Sequence, residues 1–182
     1  MYRKNSIVLN AFTRSVGKGG NMDNRGFALT ELIIVIVLIS AMLAITTLNF
    51  NDWQKKYNIE AQVKEMVTDF NDVRTQAIAT KQRHSVILNP SLYTFRRHSS
   101  EFDAAGTEVF RKPLKYTIQQ FSSGSLSAFS DFTLSINERG YTTTPFTIAV
   151  GAGLSNPAYN CVGVHTARVN MGRINGNNCE YQ

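Results

Sequence analysis

The sequence predicts an α+β fold in which one long N-terminal helix packs on an antiparallel, β-rich C-terminal domain. No glycine lies between Gly26 and Gly106, and the first proline is Pro90, so the first long stretch holds neither of the residues that interrupt helices. After Lys81 the apolar residues recur with a period of two, which is typical of strands. The helix is therefore expected first and the sheet second.

The first half of the predicted helix is apolar enough to cross a membrane. Phe27–Leu48 is 22 residues long and holds 17 apolar ones, and a span needs about 20 residues at 1.5 Å per residue. Five basic residues and one acidic residue precede it within residues 1–26. By the positive-inside rule the N-terminus should stay cytoplasmic and residues 49–182 should form a globular domain outside.

The second half of the helix, which ends at about Thr80, is predicted to be amphipathic. An apolar stripe is expected to pack on the domain, and a charged face is expected to meet solvent. The stripe comprises Trp53, Tyr57, Val63, Met66, Val67, Phe70, Val73, Ala77 and Ile78. The charged face comprises Lys55, Lys56, Glu60, Lys64, Glu65, Asp69, Asp72 and Arg74.

Seven short strands are predicted after the helix, separated by turn clusters rich in Gly, Pro, Asn and Ser. The strands are His84–Leu88, Tyr93–Arg97, Thr107–Arg111, Tyr116–Phe121, Asp131–Ile136, Phe146–Val150 and Val162–Val169. The turns are Asn89–Ser91, Ser122–Ser125, Asn137–Gly140, Gly151–Pro157 and Asn175–Asn178. Several short strands that follow one helix indicate an antiparallel sheet.

Glu31 is unusual because it stands near the start of the apolar run. A carboxylate in hydrocarbon costs about 2–3 kcal/mol even on the lenient insertion scale. Residues 34 and 35, where a helical partner would stand, are Ile and Val. Glu31 either reaches water at the membrane edge or needs a cation from another chain or from a newly made amine.

The order Arg25-Gly26-Phe27, with Glu31 as the fifth residue counted from Phe27, resembles the signal of type IV prepilins and pseudopilins. The resemblance implies that a prepilin peptidase cuts after Gly26, removes residues 1–26 as a leader and methylates Phe27. It also implies that Glu31 pairs with the N-terminal amine of a neighbouring subunit during filament assembly. Translation from Met22 would give the short leader MDNRG, and both starts stay open.

The segments FTLSINERGYTTTPFTIAV and ARVNMGRING resemble the GspH/FimT family of minor pseudopilins and minor pilins. The resemblance implies a turn at Gly140, a hydrophobic strand at Phe146–Val150 and a late strand that ends in a Gly172-Arg173 turn. It implies a structural subunit without catalysis, held in the bacterial inner membrane and then built into a type II secretion pseudopilus or a type IV pilus. Its partners would be prepilin peptidase and other pilins, through the N-terminal helix.

An alternative is a FimT-like minor pilin that binds DNA for natural transformation. Arg168 and Arg173 would contact phosphates if they lay together at the tip of the domain. Some DNA-binding members carry Gly-Arg-x-Arg, whereas this chain has Gly172-Arg173-Ile174-Asn175 and lacks the second arginine. The 156 residues after Gly26 carry 14 basic and 12 acidic residues, so nucleic acid is not favoured.

Two cysteines, Cys161 and Cys179, enclose 17 residues. A disulfide is expected if the domain faces the periplasm or the exterior, and two reduced thiols are the alternative. Neither these cysteines nor the three histidines, His84, His98 and His165, show the spacing of a metal site or a catalytic motif. The histidines are predicted to be strand or surface residues, and neither a cofactor nor enzyme activity is expected.

Overall fold

A computed structural model describes residues 29–129 and 131–181, apart from the side chains of residues 45–49. An α-helix, α1, spans Leu29–Thr80, and antiparallel strands follow it. The predicted α+β class, with the helix first and the sheets second, is therefore confirmed, and the helix ends at the predicted residue. The predicted leader, Gly26 and Phe27 lie outside the described residues.

Ten strands follow α1 in the described part of the chain, and all of them pair antiparallel. They are β1 (His84–Asn89), β2 (Leu92–Arg97), β3 (Thr107–Pro113), β4 (Ile118–Ser122), β5 (Ser125–Ala128), β6 (Phe132–Ile136), β7 (Phe146–Val150), β8 (Cys161–Val164), β9 (Val169–Asn175) and β10 (Asn178–Tyr181). One sheet has the order β3-β2-β1-β6, and the other has the order β10-β9-β8-β7-β4-β5.

Six of the seven predicted strands correspond to observed strands, with shifts of up to two residues at their ends. The seventh prediction, Val162–Val169, is wrong as one strand. The chain turns within it, where the amide of His165 donates to the carbonyl of Arg168 at 2.9 Å. The two arms are β8 and β9.

Two observed strands, β5 and β10, were not predicted. Every residue of β5 is exposed, and β10 has only one residue that is not fully exposed. Both strands alternate polar with apolar residues, Ser-Leu-Ser-Ala in β5 and Asn-Cys-Glu-Tyr in β10, but each is only four residues long and lies beside a predicted turn. The predicted turn at Gly172-Arg173 is also wrong, since both residues lie inside β9 and the chain turns after Asn175.

One hydrophobic core joins the second half of α1 to both sheets. The helix contributes Ile59, Val63, Met66, Phe70, Val73 and Ala77, all at most 1% exposed. The strands contribute Val86, Leu88, Tyr93, Phe95, Ile118, Leu134, Ile136, Ile148, Val150, Val162, Val164 and Val169. Full burial of a large apolar side chain contributes about 1.5–3 kcal/mol, so this layer is the main source of the stability of the domain.

The predicted apolar stripe is correct for its positions from Val63 to Ala77, whereas Ile78 at its end is 44% exposed. The prediction is wrong for Trp53 and Tyr57. Those two aromatic side chains are each 60% exposed. The step from Tyr57 to Val63 is six residues, which turns an α-helix by about 240°. The stripe therefore changes sides between the two, and Trp53 and Tyr57 face away from the core.

Some side chains that were predicted to face solvent instead bind the domain, which corrects that interpretation. Arg74 donates from Nε to the carbonyl of Gly140 at 2.8 Å, and its guanidinium also donates to the carbonyl of Ala167. Glu60 accepts from the amide of Ala158 at 2.7 Å. Their long side chains reach around the helix to backbone groups of the loops, which helical periodicity does not reveal.

A polar cluster joins α1 to the sheet that contains β2 and β3. Asp69 accepts a hydrogen bond from the Tyr93 hydroxyl and from Lys112 Nζ at 2.7 Å, and Lys112 also pairs with Glu65 at 2.7 Å. Burial opposes the charge of Lys112, but the hydrogen bonds to Asp69 and Glu65 outweigh it and raise the pKa of Lys112. Burial and the bond to Asp69 raise the pKa of Tyr93. Both groups keep their protons and hold the helix to the sheet.

The chain divides into two compact units between Leu43 and Ala44, five residues before the predicted boundary at Leu48. The unit of residues 44–182 contains the whole hydrophobic core. No helix in the described part of the chain is long and apolar enough to cross a membrane. The predicted span Phe27–Leu48 extends beyond the described side chains at both ends and stays a prediction.

Candidate functional site

The first unit presents an apolar surface on every side of its helix. Eight consecutive side chains, Leu32 to Ile39, are between 45% and 60% exposed. Eight residues complete more than two helical turns, so no polar face is left to meet water. Helices that are apolar all round are found buried in the cores of proteins or in membranes.

Ser40 is the polar residue inside this apolar surface. Its hydroxyl donates to the carbonyl of Ile36, four residues earlier, at 2.7 Å. Because the bond is made within the helix, the hydroxyl needs no water and is compatible with an apolar surrounding.

Glu31 lies in the first turn of the described part of α1. The side chains of Leu29 and Leu32, on either side of it in the chain, are exposed. The next basic residue along the chain is Lys55. The described helix therefore offers Glu31 no cation within reach, and Gly26 and Phe27 lie outside the described residues.

Cys161 and Cys179 are bonded in the structure, with their Cα atoms 6.3 Å apart. Cys161 begins β8 and Cys179 lies in β10, and β9 stands between those strands in the sheet order. The bond crosses β9 at Gly172, where an added Cβ would lie 2.9 Å from the Sγ of Cys179. The disulfide therefore holds β10 against β8 over a residue without a side chain.

Replacing Gly172 with alanine is expected to cost about 3 kcal/mol of stability, the upper end of typical overpacking penalties. The new Cβ would lie 2.4 Å from the backbone carbonyl oxygen of Glu180, which cannot move without opening β9–β10. Gly163→Ala is the matched control on β8, because its Cβ would meet the far end of the Tyr181 side chain, which is 39% exposed, rather than a backbone atom. Urea unfolding followed by circular dichroism tests this. Equal midpoints for the two variants would contradict the steric account.

Arg168 and Arg173, the two residues predicted to contact phosphates, do not lie side by side in the structure. Arg168 is exposed at the turn before β9, whereas Arg173 lies five residues further within β9, an advance of about 17 Å along a strand. Arg173 donates to the side chain of Asn156 at 2.7 Å and stands opposite Glu180 in the ladder. A role for these arginines in DNA binding stays a prediction.

Sequence reasoning missed a buried polar network at the end of β2. His98 is 3% exposed, so its prediction as a strand or surface residue is wrong. Nδ1 of His98 donates to the carbonyl of Asp103 at 2.6 Å, and Nε2 is hydrogen-bonded to the hydroxyl of Ser85 at 2.8 Å. Ser85 is also buried, at 5%, so a substrate cannot approach this serine–histidine pair. The network fixes the loop between β2 and β3 to β1, and no sequence spacing signals it.

The other two histidines differ from His98. His84 is a buried residue of β1, as the strand prediction required, and its Nδ1 lies 3.0 Å from the carbonyl of Gln82. Burial lowers the pKa of His84. His165 lies in the β8–β9 turn, with its ring centre 5.1 Å from that of Tyr181. No group of three metal-binding side chains suited to an ion occurs within residues 29–129 and 131–181.

Asp103 closes the β2–β3 loop. Its carboxylate accepts from the amide of Gly106 at 2.9 Å and from the amide of Ser99 at 3.0 Å. These bonds favour the ionised form, and they lower the pKa of Asp103 to about 2.

The contribution of Asp103 to stability is expected to depend on pH. Because its folded pKa is depressed, that contribution is complete above the unfolded value of 3.8 and is lost as the pH falls through about 2. Asp103→Asn should therefore lower the urea midpoint at neutral pH, and the difference from the unmodified chain should disappear near pH 2. Asp131→Asn, at an exposed aspartate of the same domain, is the control. A difference that stays constant with pH would contradict this assignment.

The domain also holds a shallow groove of about 460 Å³ beside β4, β7 and β10. Amide, hydroxyl and aromatic side chains line it, among them Gln120, Thr147, Asn178 and Tyr181. Its lining contains no carboxylate, imidazole or amine.

Comparisons with known proteins identify one motif. Residues 21–47 match the family model of the prokaryotic N-terminal methylation motif, so the chain carries this prepilin-type signal. Among solved structures, the minor pseudopilin EpsH from the type 2 secretion system of Vibrio cholerae is similar, with a TM-score of 0.49 and 13% sequence identity. That similarity covers 63% of this chain and 94% of EpsH. No curated protein matched the chain significantly.

Proposed function

We propose that this chain is a minor pilin or pseudopilin, a structural subunit of a type II secretion pseudopilus or a type IV pilus. The N-terminal methylation motif over residues 21–47 carries the proposal. Within that motif, prepilin peptidase would cleave after Gly26 and methylate the new N-terminus at Phe27. The chain would act by assembly and would have no catalytic step of its own.

The apolar surface of the first unit supports this function. A helix with exposed aliphatic side chains all round suits two successive surroundings, which are lipid before assembly and the helices of other subunits afterwards. The subunit would first sit in the bacterial inner membrane, with residues 49–182 in the periplasm. The basic residues that precede the apolar run support that orientation.

Glu31 has a specific part in this proposal. Cleavage after Gly26 would create an α-amine four residues before Glu31, and that amine is positively charged at neutral pH. A neighbouring subunit can thus supply the cation that the described helix does not offer. Pairing the two charges between subunits would set the register of helix packing in the filament.

The dependence on prepilin peptidase tests the proposal. An epitope-tagged chain should run as a shorter band on an immunoblot from cells that contain the peptidase, and as the full precursor from cells that lack it. Restoring the peptidase should restore the short form. A chain of the same size in both strains would refute processing, and with it the proposed function.

A further inference from the structure

Three aromatic side chains form an exposed strip on α1 just after the apolar run. Phe50, Trp53 and Tyr57 are 56%, 60% and 60% exposed. The ring centres of Phe50 and Trp53 lie 6.0 Å apart, and those of Trp53 and Tyr57 lie 5.8 Å apart in a stacked arrangement. The three rings therefore make one continuous surface, which we call the aromatic strip.

The aromatic strip does not belong to the hydrophobic core. At about 100° per residue, its members cluster on one side of the helix, about 130° away from the side that carries Ile59, Val63 and Phe70. Those three core residues are fully buried. The strip thus has no cover within the described domain, and rings of this size gain considerably from leaving water.

The position of the strip in the chain indicates what covers it. Phe50 and Trp53 follow Leu48, the last residue of the predicted span, by two and five residues, which advances a helix by about 3 and 7.5 Å. The interfacial layer on each side of the hydrocarbon core is about 5–8 Å thick. The strip therefore begins in the layer where lipid headgroups lie.

The chemistry of the strip fits that layer. Trp and Tyr are enriched at both membrane interfaces, because each has an apolar ring and a polar group that keeps its hydrogen bond. Lys55 and Lys56 accompany the rings, and both lysines are exposed. Their ammonium groups can reach anionic headgroups, although Lys55 also lies 3.8 Å from Asp52.

We propose that Phe50 and Trp53 are an interfacial anchor that rests in the lipid headgroup layer on the periplasmic side of the membrane before assembly. Tyr57, which stacks on Trp53, continues the strip above that layer, about 13.5 Å beyond Leu48. This proposal rests on the proposed function, since it requires residues 27–48 to cross that membrane. The anchor would set the depth of the helix and the height of the domain above the bilayer. The occupant of the strip is lipid, and not a second copy of the chain.

The experiment uses Trp53 as a reporter, because it is the one tryptophan of the chain. The full chain, cleaved after Gly26, is reconstituted at a low protein-to-lipid ratio in vesicles of phosphatidylcholine and phosphatidylglycerol. The lipids carry bromine, a fluorescence quencher, either near the headgroup or near the middle of the bilayer. Trp53 should emit at shorter wavelength than an exposed tryptophan, and headgroup-proximal bromine should quench it more than deep bromine.

Two control variants place the single tryptophan at other positions in the chain. In the double variant Trp53→Phe, Leu38→Trp the reporter lies in the apolar run, and deep bromine should quench it most. In the double variant Trp53→Phe, Phe102→Trp the reporter lies in the β2–β3 loop, where Phe102 is 96% exposed, and neither lipid should quench it.

The outcomes separate the two proposals. If the reporter at position 38 is not quenched, the chain does not enter the membrane and the proposed function fails. If that reporter is quenched while Trp53 behaves like the reporter at position 102, insertion stands and the interfacial anchor is refuted. Shielding of Trp53 that grows with the protein-to-lipid ratio, without quenching by lipid, would assign the strip to another copy of the chain and would also refute the anchor.

Discussion

A chain with Glu31→Gln is expected to be cleaved and methylated normally and to be missing from assembled filaments. Glutamine keeps the size and polarity of the side chain but removes the charge. The N-terminal amine of the neighbouring subunit would then be buried among helices without a counter-ion. Breaking a buried ion pair costs about 3–5 kcal/mol, which corresponds to a loss of incorporation of more than about 100-fold.

The measurement is an immunoblot of sheared filaments beside whole-cell extract. Asp52→Asn, at an exposed acidic residue of the same helix, is the matched control and should enter filaments normally. Glu31→Asp should recover part of the incorporation, because the charge remains but the shorter side chain reaches less far. Incorporation of Glu31→Gln at the level of the unmodified chain would refute a pairing role for Glu31.

Gly26→Val is expected to abolish cleavage, so that the whole chain accumulates in the membrane with its leader attached. The physical reason is steric, since glycine admits close approach of the peptidase to the bond and a β-branched side chain blocks it. Loss of cleavage also removes the new amine and the methylation of Phe27, so this chain should be absent from filaments too.

Gly20→Val in the chain that starts at Met1 is the control, because it changes a leader glycine away from the cleaved bond. That control should be processed normally. A mature-size band from Gly26→Val would mean that the peptidase does not read Gly26, and the cleavage position would have to be reassigned.

Buried strands were predicted from the sequence more accurately than exposed strands. Strands that are mostly buried, such as β1 and β7, were predicted within one residue at each end, since their apolar residues and the turn residues that flank them mark their limits. The exposed strands β5 and β10 alternate polar with apolar residues over only four residues each, which is too short a pattern to distinguish them from the turns beside them. Their strand character comes from pairing with neighbours, which a local pattern does not contain.

The amphipathic half of α1 shows a second limit. Spacings of three and four residues joined Trp53 and Tyr57 to the stripe that begins at Val63, although the six-residue gap moves the stripe to another side of the helix. Following the angle through that gap would have revealed two separate surfaces. One surface is the core, and the other is the aromatic strip.

Polar contacts between residues that are far apart in the chain could not be predicted from the sequence. Arg74 binds carbonyls 66 and 93 residues further along the chain, and Ser85 meets His98 only because the chain turns back after β2. Such pairs depend on the tertiary fold. By contrast, Glu31 was identified from the sequence because a charge inside an apolar run is conspicuous without any structure.

The N-terminus of the mature chain tests the central claim most directly. The protein is purified from the membrane of cells that contain prepilin peptidase, digested, and its N-terminal peptide is sequenced by mass spectrometry. We predict a chain that begins at Phe27 and carries one methyl group on its α-amine. An N-terminus at Met1 or Met22, or cleavage at another bond, would contradict it.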